Sequence, residues 1–455
     1  MDHYGILSVL PALIVIIFAL VTKRTLEALF LGTIATYVII YGPSFAPQWS
    51  EAFFRAAGDG ENQWVLIVCG LFGSLIALLA KSKGTLGFAG KLERYCNTEK
   101  KTLLTTWILG ILIFIDEYLN IMTLGACMKK ISDKKKIPRE SLAYIIDSTG
   151  APICVLLPFS TWAIFYSSVF YKQSGIRELN FGGEIATYLK VIPFTFYAWI
   201  SVIIVPLFIL GVVPKLGRMK SAYERVEKTG EVYSDKSERY NSELVDKYGE
   251  GEGQLIDFLL PIGTLIAITI IWGDLFIAVV ASLIVCLLLY IPRKKMSFGE
   301  FCDTYIEGFA GMVPTIAIVF MAFVMQQAAN DIGLPSYIIE TVTPYLNGTI
   351  FPAVAFIVVA ILTFVTGSNW GIPAVCVPII IPLGFSLGAN PILVMAAVLS
   401  GGTLGSHACF YSDATVLTST SCSIDNMDHA LSQFPYAAMA AVISLVGFLV
   451  CGMIM

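Results

Sequence analysis

The chain has 455 residues, 56% of them hydrophobic and only 14% charged, with a mean hydropathy of +0.77. A soluble globular domain carries about 25% charged residues, and a disordered chain lacks long apolar runs, so the sequence predicts an all-α polytopic membrane protein. The net charge is −4, and 8 Lys or Arg and 10 Asp or Glu are gathered into residues 215–257, which leaves no basic face for nucleic acid.

A span needs about 20 mainly apolar residues. In chain order the simple candidates are 4–21, 25–41, 63–80, 185–213, 256–273, 276–292, 310–329 and 434–455. The first is followed by Lys23 and Arg24, so it reads as a retained span and not as a signal peptide. Three further apolar blocks, 102–128, 140–171 and 350–422, are too long or are broken by polar and Gly/Pro clusters. Basic residues cluster at 23–24, 81–101 and 129–139, and the positive-inside rule puts all three loops in the cytoplasm. Block 102–128, with both flanks inside, must then enter and return as a re-entrant hairpin whose tip is FIDEYLN, 114–120. Block 140–171 crosses as a broken helix, 185–213 returns, and 214–255 is a cytoplasmic linker.

The second half repeats this order with hairpin 350–388 and broken helix 391–422. Asp116 to Gly150 and Ser368 to Gly402 are each 34 residues apart; Gly150 to Ser160 and Gly402 to Ser412 are each 10. The expected architecture is therefore about 10 transmembrane helices plus two re-entrant hairpins, in which 1–213 and 256–455 are inverted-topology repeats with both termini outside. Paired interrupted segments of this kind point to the binding site of a secondary transporter.

Four segments carry the chemistry: the tips 114–120 and TGSNWGIP, 366–373, and the breaks DSTGAP, 147–152, and SGGTLGSHACFYSDAT, 400–415. Unpaired backbone at membrane depth is tolerated only where protein, water or a ligand satisfies it. Asp116, Glu117, Asp147, His407 and Asp413 stand in apolar surroundings, where each charge costs about 2.5–3.5 kcal/mol. A carboxylate so placed can hold a proton and release it when Na⁺ arrives. Neutral candidates beside them are Asn120, Ser148, Thr149, Gly150, Thr366, Ser368, Asn369, Gly402, Thr403, Ser412 and Thr415, with Asp116, Asn120, Thr149, Ser368, Asn369 and Asp413 as Na⁺ ligands. Glu117 and Asp147 could instead cap helix ends, and His407, Trp162 and Trp370 could be packing residues. Thr161, Thr415, Thr418 and Ser419 fit a back-bond to the helix as well as a ligand role. Asp425, Asp428 and His429 are expected in a cytoplasmic loop or at the start of the last helix. The ten scattered cysteines, with no CxxC pair, read as core thiols. GTLGFAGK, 84–91, fails as a phosphate loop because Thr85 and Leu92 replace required residues, and no HExxH or GxSxG is present.

The stretches 114–163 (FIDEYLNIMTLGACMKKISDKKKIPRESLAYIIDSTGAPICVLLPFSTWA) and 405–437 (GSHACFYSDATVLTSTSCSIDNMDHALSQFPYA) resemble the NhaC-type Na⁺/H⁺ antiporter family of the ion transporter superfamily. The resemblance implies a bacterial inner-membrane secondary transporter with Na⁺ or H⁺ as coupling ions, no resident cofactor, and an elevator-like movement, commonly of a homodimer. Its acidic hairpin motif falls on Asp116, Glu117 and Asn120, its Asp-Ser-Thr break on Asp147, Ser148 and Thr149, and its Ser-Asp-x-Thr motif on Ser412, Asp413 and Thr415. Glu117 stands where relatives commonly have Asp, Leu119 where they have Phe, and Ser406 where a Gly-Asp-His triplet would carry a carboxylate. Na⁺/H⁺ exchange is the leading expectation. Na⁺- or H⁺-coupled transport of an amino acid or small organic anion is the second, and a channel a distant third.

Overall fold

A computed structural model gives the fold, describing residues 3–455 other than 23, 93–94, 115, 159, 174, 241–252, 273, 343–345 and 368–370. Among the described residues every regular element is a helix. The first half runs α1 (Leu10–Thr22), α2 (Thr25–Tyr41), α3 (Ala46–Gly58), α4 (Gly60–Lys81), α5 (Gly84–Leu92), α6 (Glu99–Leu112), α7 (Glu117–Lys134), α8 (Arg139–Thr149), α9 (Ala151–Leu156), α10 (Thr161–Tyr171), α11 (Glu184–Val191) and α12 (Phe196–Leu210). After α13 (Gly217–Thr229) the chain continues through α14 (Ile256–Trp272), α15 (Leu275–Tyr290), α16 (Phe298–Gly311), α17 (Val313–Asp331), α18 (Leu334–Val342), α19 (Phe351–Thr366), α20 (Gly371–Ser386), α21 (Pro391–Ala408), α22 (Asp413–Ser421) and α23 (Asn426–Ile454).

Local chemistry sets the helix ends. Thr98, Asp116, Ser160, Asp274, Asn390, Ser412 and Asp425 each accept a backbone N–H in the first turn of the helix that follows. Ser297 and Glu300 form a capping box on α16. Gly211 and Gly367 end α12 and α19 in the left-handed region, where a side chain would be strained.

Packing divides these helices into two bodies. One joins α1 to α2, α14 to α15, α2 to α17, α15 to α4 and α16 to α4; the other joins α6 to α8, α19 to α21, α12 to α23 and α21 to α23. Helices α7 and α22 run side by side between them. Contact within each body is made by small residues, as expected where lipid gives no hydrophobic drive to helix association. A Cβ on Gly401 would lie 2.6 Å from Phe356 O, and one on Gly405 2.7 Å from Ala360 O and 2.4 Å from Thr363 Cβ. Gly405→Ala is therefore expected to lose about 1–3 kcal/mol through overpacking, read as a lower unfolding temperature of the purified protein; an unchanged midpoint would contradict this packing.

Among the described residues five helices are long and apolar enough to cross a membrane: Thr25–Ser44, Asn62–Lys81, Val313–Asp331, Pro391–Ala408 and Asn426–Ile454. Two bent pairs pass the test jointly, and five shorter apolar helices accompany them. One bent pair is Arg139–Leu156 with Thr161–Tyr171, at 43°. The other, Glu184–Phe194 with Phe196–Leu210 at 54°, corrects the reading of 185–213 as one ordinary span, because Pro193 removes a helix N–H there. The interruption in the second half lies at 409–412 and not across 400–408: α21 continues through Gly402, Thr403 and His407. Glycine in mid-helix is accommodated because Gly401 and Gly405 face α19. The last helix begins at Asn426, eight residues before the expected span. All ten cysteines are free, eight of them buried. The linker is partly helical, and Arg225 of α13 clamps Glu140 of α8 through two bonds of 2.9 Å.

Candidate functional site

Three interruptions meet between the two bodies: the turn before α7, the kink at Gly150, and the gap before α22. Asp116 sits at the first. Its Oδ1 accepts from the N–H groups of Tyr118 (2.9 Å) and Leu119 (3.1 Å), and its Oδ2 accepts from Thr161 Oγ1 at 3.1 Å. Asp116 is thus the N-cap of α7 and ties it to α10. Asn120, one turn on, donates from Nδ2 to Gly110 O (2.7 Å), Ile113 O (3.0 Å) and Thr149 O (3.0 Å), which are carbonyls left open where α6 and α8 end. Its Oδ1 is buried and has no hydrogen-bond partner among the described residues.

Glu117 is 1% exposed. Trp162 Nε1 donates to its Oε2 at 3.0 Å, while Oε1 is without a partner among the described residues. Asp413, Asp147 and Asp116 all act on it electrostatically. Asp413, in the first turn of α22, accepts from the Tyr118 hydroxyl and from its neighbour Ala414 N at 2.9 Å. Asp147 Oδ2 accepts from Gln433 Nε2 at 2.7 Å and pairs with His429 Nε2 at 3.0 Å; Asp147 Oδ1, His429 Nδ1 and Gln433 Oε1 are buried without partners among the described residues. His407 bridges Ser148 Oγ (3.1 Å) and the Tyr197 hydroxyl (2.7 Å), each ring nitrogen being engaged.

The remaining candidates are structural in the geometry seen. Thr149, Thr366 and Thr403 return their hydroxyls to carbonyls of their own helices. Ser412 caps α22, donates to Ser406 O at 2.9 Å and lies 3.0 Å from Thr415 Oγ1. Gly150 ends α8, and Gly402 lies where a Cβ would come 2.7 Å from the Tyr166 hydroxyl. Of the residues with two readings, Thr161 and Thr415 bond side chains in the site, while Ser419 back-bonds to Val416 O. Ser368, Asn369 and Trp370 lie outside the described residues.

One expected residue and one not singled out in the sequence hold Asp147. His429 and Gln433 are 0% and 1% exposed and hold Asp147 from α23; of the two expectations for His429, the start of the last helix is the one found. Asp425 caps α23 and Asp428 accepts from Ser234 of the linker, as expected for the helix start. Tyr118 and Tyr197 were also not singled out. A His and a Gln at i and i+4 on an apolar helix were the available signal, since both project from one face.

Buried carboxylates are costly unless neutralised. Trp162 donates to Glu117, Tyr118 and Ala414 N to Asp413, and Gln433 to Asp147, which His429 also contacts. Among the described residues no group of three or more His, Cys, Asp or Glu converges as a metal site; a monovalent cation would rely on neutral amide, hydroxyl and carbonyl oxygens as well.

The profile of the Na⁺/H⁺ antiporter family matches residues 169–453. An uncharacterised protein of Haemophilus influenzae is 27% identical across 98% of this chain and 90% of its own length. An arginine/ornithine antiporter of Halobacterium salinarum is 24% identical across 40% of this chain and 36% of its own. A malate-2H⁺/Na⁺-lactate antiporter of Bacillus subtilis is 25% identical across 44% of this chain and 43% of its own.

Proposed function

Because the chain belongs to the Na⁺/H⁺ antiporter family and is an antiporter-type transporter of the multi-pass helical kind, we propose that it exchanges Na⁺ for H⁺ by alternating access, with Glu117, Asp147 and Asp413 binding the two ions in turn. The observation that carries this reading is the pair of buried oxygens Glu117 Oε1 and Asp147 Oδ1, without hydrogen-bond partners among the described residues, beside a third carboxylate. One negative site that accepts either a proton or Na⁺, but not both, couples the two fluxes. A second form, in which cation movement is tied to an amino acid or organic acid, is favoured by the substrates named for two of the relatives.

The proposal includes an inverted repeat of 1–213 and 256–455 in a bacterial inner membrane, about ten spans with two hairpins, and both termini outside. Matching bonds support the repeat: Ser160 donates to Cys154 O and Ser412 to Ser406 O, each six residues back, and each caps the helix that follows. In it the body containing α6, α8, α12, α19, α21 and α23 moves against the other, in one protomer of a homodimer, and 214–255 joins the halves on the cytoplasmic side.

Liposomes with a trapped pH dye test the function. Proton movement on adding Na⁺ alone is the expected result; silence with Na⁺ alone, but proton movement with Na⁺ plus a carboxylate or amino acid, would select the second form. For the topology, Ser386→Cys, in a background with Cys302 and Cys451 replaced by Ser, should react with an impermeant thiol reagent from outside the cell. Reaction only from the cytoplasmic face would break the inverted repeat.

A further inference from the structure

Residues 232–240 of the linker are seated on the body that contains α8 and α23. Val232 O accepts from the backbone N–H of Arg139 at 2.9 Å, and the Arg139 guanidinium lies over the Tyr233 ring, 4.6 Å from its centre. Ser234 donates to Asp428 in the first turn of α23. Ser237, 0% exposed, accepts at 2.8 Å from the N–H of Asp425, the N-cap of the same helix. Arg139 is the first residue of α8, so these anchors all lie where α8 and α23 begin.

The same segment ends against different surroundings. Asp235–Tyr240 is a 3₁₀ turn, and it delivers the half-buried Tyr240 to a cavity of ≈ 320 Å³. Across that cavity stand Ala77 and Ala80 of α4, Thr85 of α5 and Gly308 of α16. Helices α4 and α16 belong to the other body, and α5 packs on its α14. Along α7 the cavity runs from Met122, one turn beyond Tyr118, to Lys130 in the basic 129–139 segment, the side the positive-inside rule assigns to the cytoplasm. When the linker is next described it is already on the far body. A Cβ on Gly253 would fall 1.8 Å from Lys83 O and 2.6 Å from Gly87 N, and Arg293 and Lys295 pair with Asp257 at the start of α14.

The linker therefore crosses from one body to the other, with Tyr240 set between them. A side chain carried by one body that fills space against the other opposes their relative movement, because close-packed groups cannot interpenetrate. The anchors are graded. Arg225 holds α13 to Glu140 by a bidentate, charge-assisted pair, whereas the 3₁₀ turn is tied to α23 by single bonds of Ser234 and Ser237. The turn can thus leave α23 while α13 stays docked, a local opening.

We propose that residues 232–240 are an autoinhibitory strap: seated as here, they close the cavity on the cytoplasmic side with Tyr240 as the plug, and the two bodies move against each other once the turn lifts from Asp425 and Asp428. The proposal rests on the two-body movement put forward above and adds the element that restrains it.

Thiol accessibility tests the closure without requiring transport. Ala126→Cys, on the α7 wall of the cavity, is placed in the background with Cys302 and Cys451 replaced by Ser, and its reaction with an impermeant thiol reagent is timed in inside-out vesicles. Adding Tyr240→Ala should speed the reaction about tenfold, since such rates follow the population of the open form. Tyr240→Phe, which keeps the bulk, should remain slow, and Ser234→Ala, which frees the turn from Asp428, should act like Tyr240→Ala. No acceleration by Tyr240→Ala, or equal acceleration by Tyr240→Phe, would overturn the plug; so would a lowered unfolding midpoint in every variant that reacts faster. In proteoliposomes the two accelerating variants should also move protons faster than the unaltered protein on addition of Na⁺, alone or with a carboxylate or amino acid. Flux present but no faster would overturn the inhibitory role. Faster labelling with no flux under any condition would end the transporter reading and leave the strap standing as the closure of the cavity.

Discussion

Asp413→Asn is expected to abolish coupled transport, reducing Na⁺-driven proton movement about a hundredfold or more, equivalent to about 3 kcal/mol at the coupling step, while the protein still reaches the membrane. The carboxylate is 3% exposed, sits at the start of α22, and accepts from Tyr118 on α7. The carboxamide is nearly isosteric and keeps an acceptor for the Tyr118 hydroxyl, so the fold has little reason to suffer. What it lacks is the charge that alternates between proton and cation. Asp413→Glu, which keeps the charge but lengthens the arm, should retain part of the flux. Full coupled transport by Asp413→Asn would remove this carboxylate from the mechanism and leave Glu117 and Asp147 to carry it.

The second large effect is on stability. Asp147→Ala should cost about 3–5 kcal/mol, the range for breaking a buried charged pair from one side. Removing the carboxylate strands His429 Nε2 and leaves Gln433 Nε2 with its bond to His407 O alone, in a region where the three side chains are 0–1% exposed, and an orphaned buried polar group carries its own desolvation penalty. Asp147→Asn keeps an acceptor for both and should fold, yet transport poorly. Thermal unfolding of the two purified variants separates the roles. Equal midpoints for Asp147→Ala and the unaltered protein would show that the network does not hold α8 to α23.

The helical membrane class and several of the apolar helices were legible in the sequence because they depend on local hydropathy. Asp116, Glu117, Asp147 and Asp413 stood out for the same reason: ionisable residues in apolar runs are conspicuous. Their partners were not. His429 and Gln433 lie 282 and 286 residues from Asp147, and a His near a helix start reads equally well as a surface residue. The capping role of Asp116 was hidden because cap and ligand use the same carboxylate oxygens, and only the Tyr118 and Leu119 bonds distinguish them. The second break, read as 400–415, was drawn too wide because Gly401, Gly402 and Gly405 look like interruptions; they are instead sites of close approach to α19 and the Tyr166 hydroxyl.

The account's central claim is that buried carboxylates take up a proton and a cation in competition. The most direct measurement is proton release from the purified protein, in weakly buffered detergent solution with a pH indicator, as Na⁺ is added. Release that saturates with Na⁺ and disappears in Asp413→Asn is the predicted result. Saturable binding of radioactive sodium without any proton release, or no sodium binding at all, would contradict it.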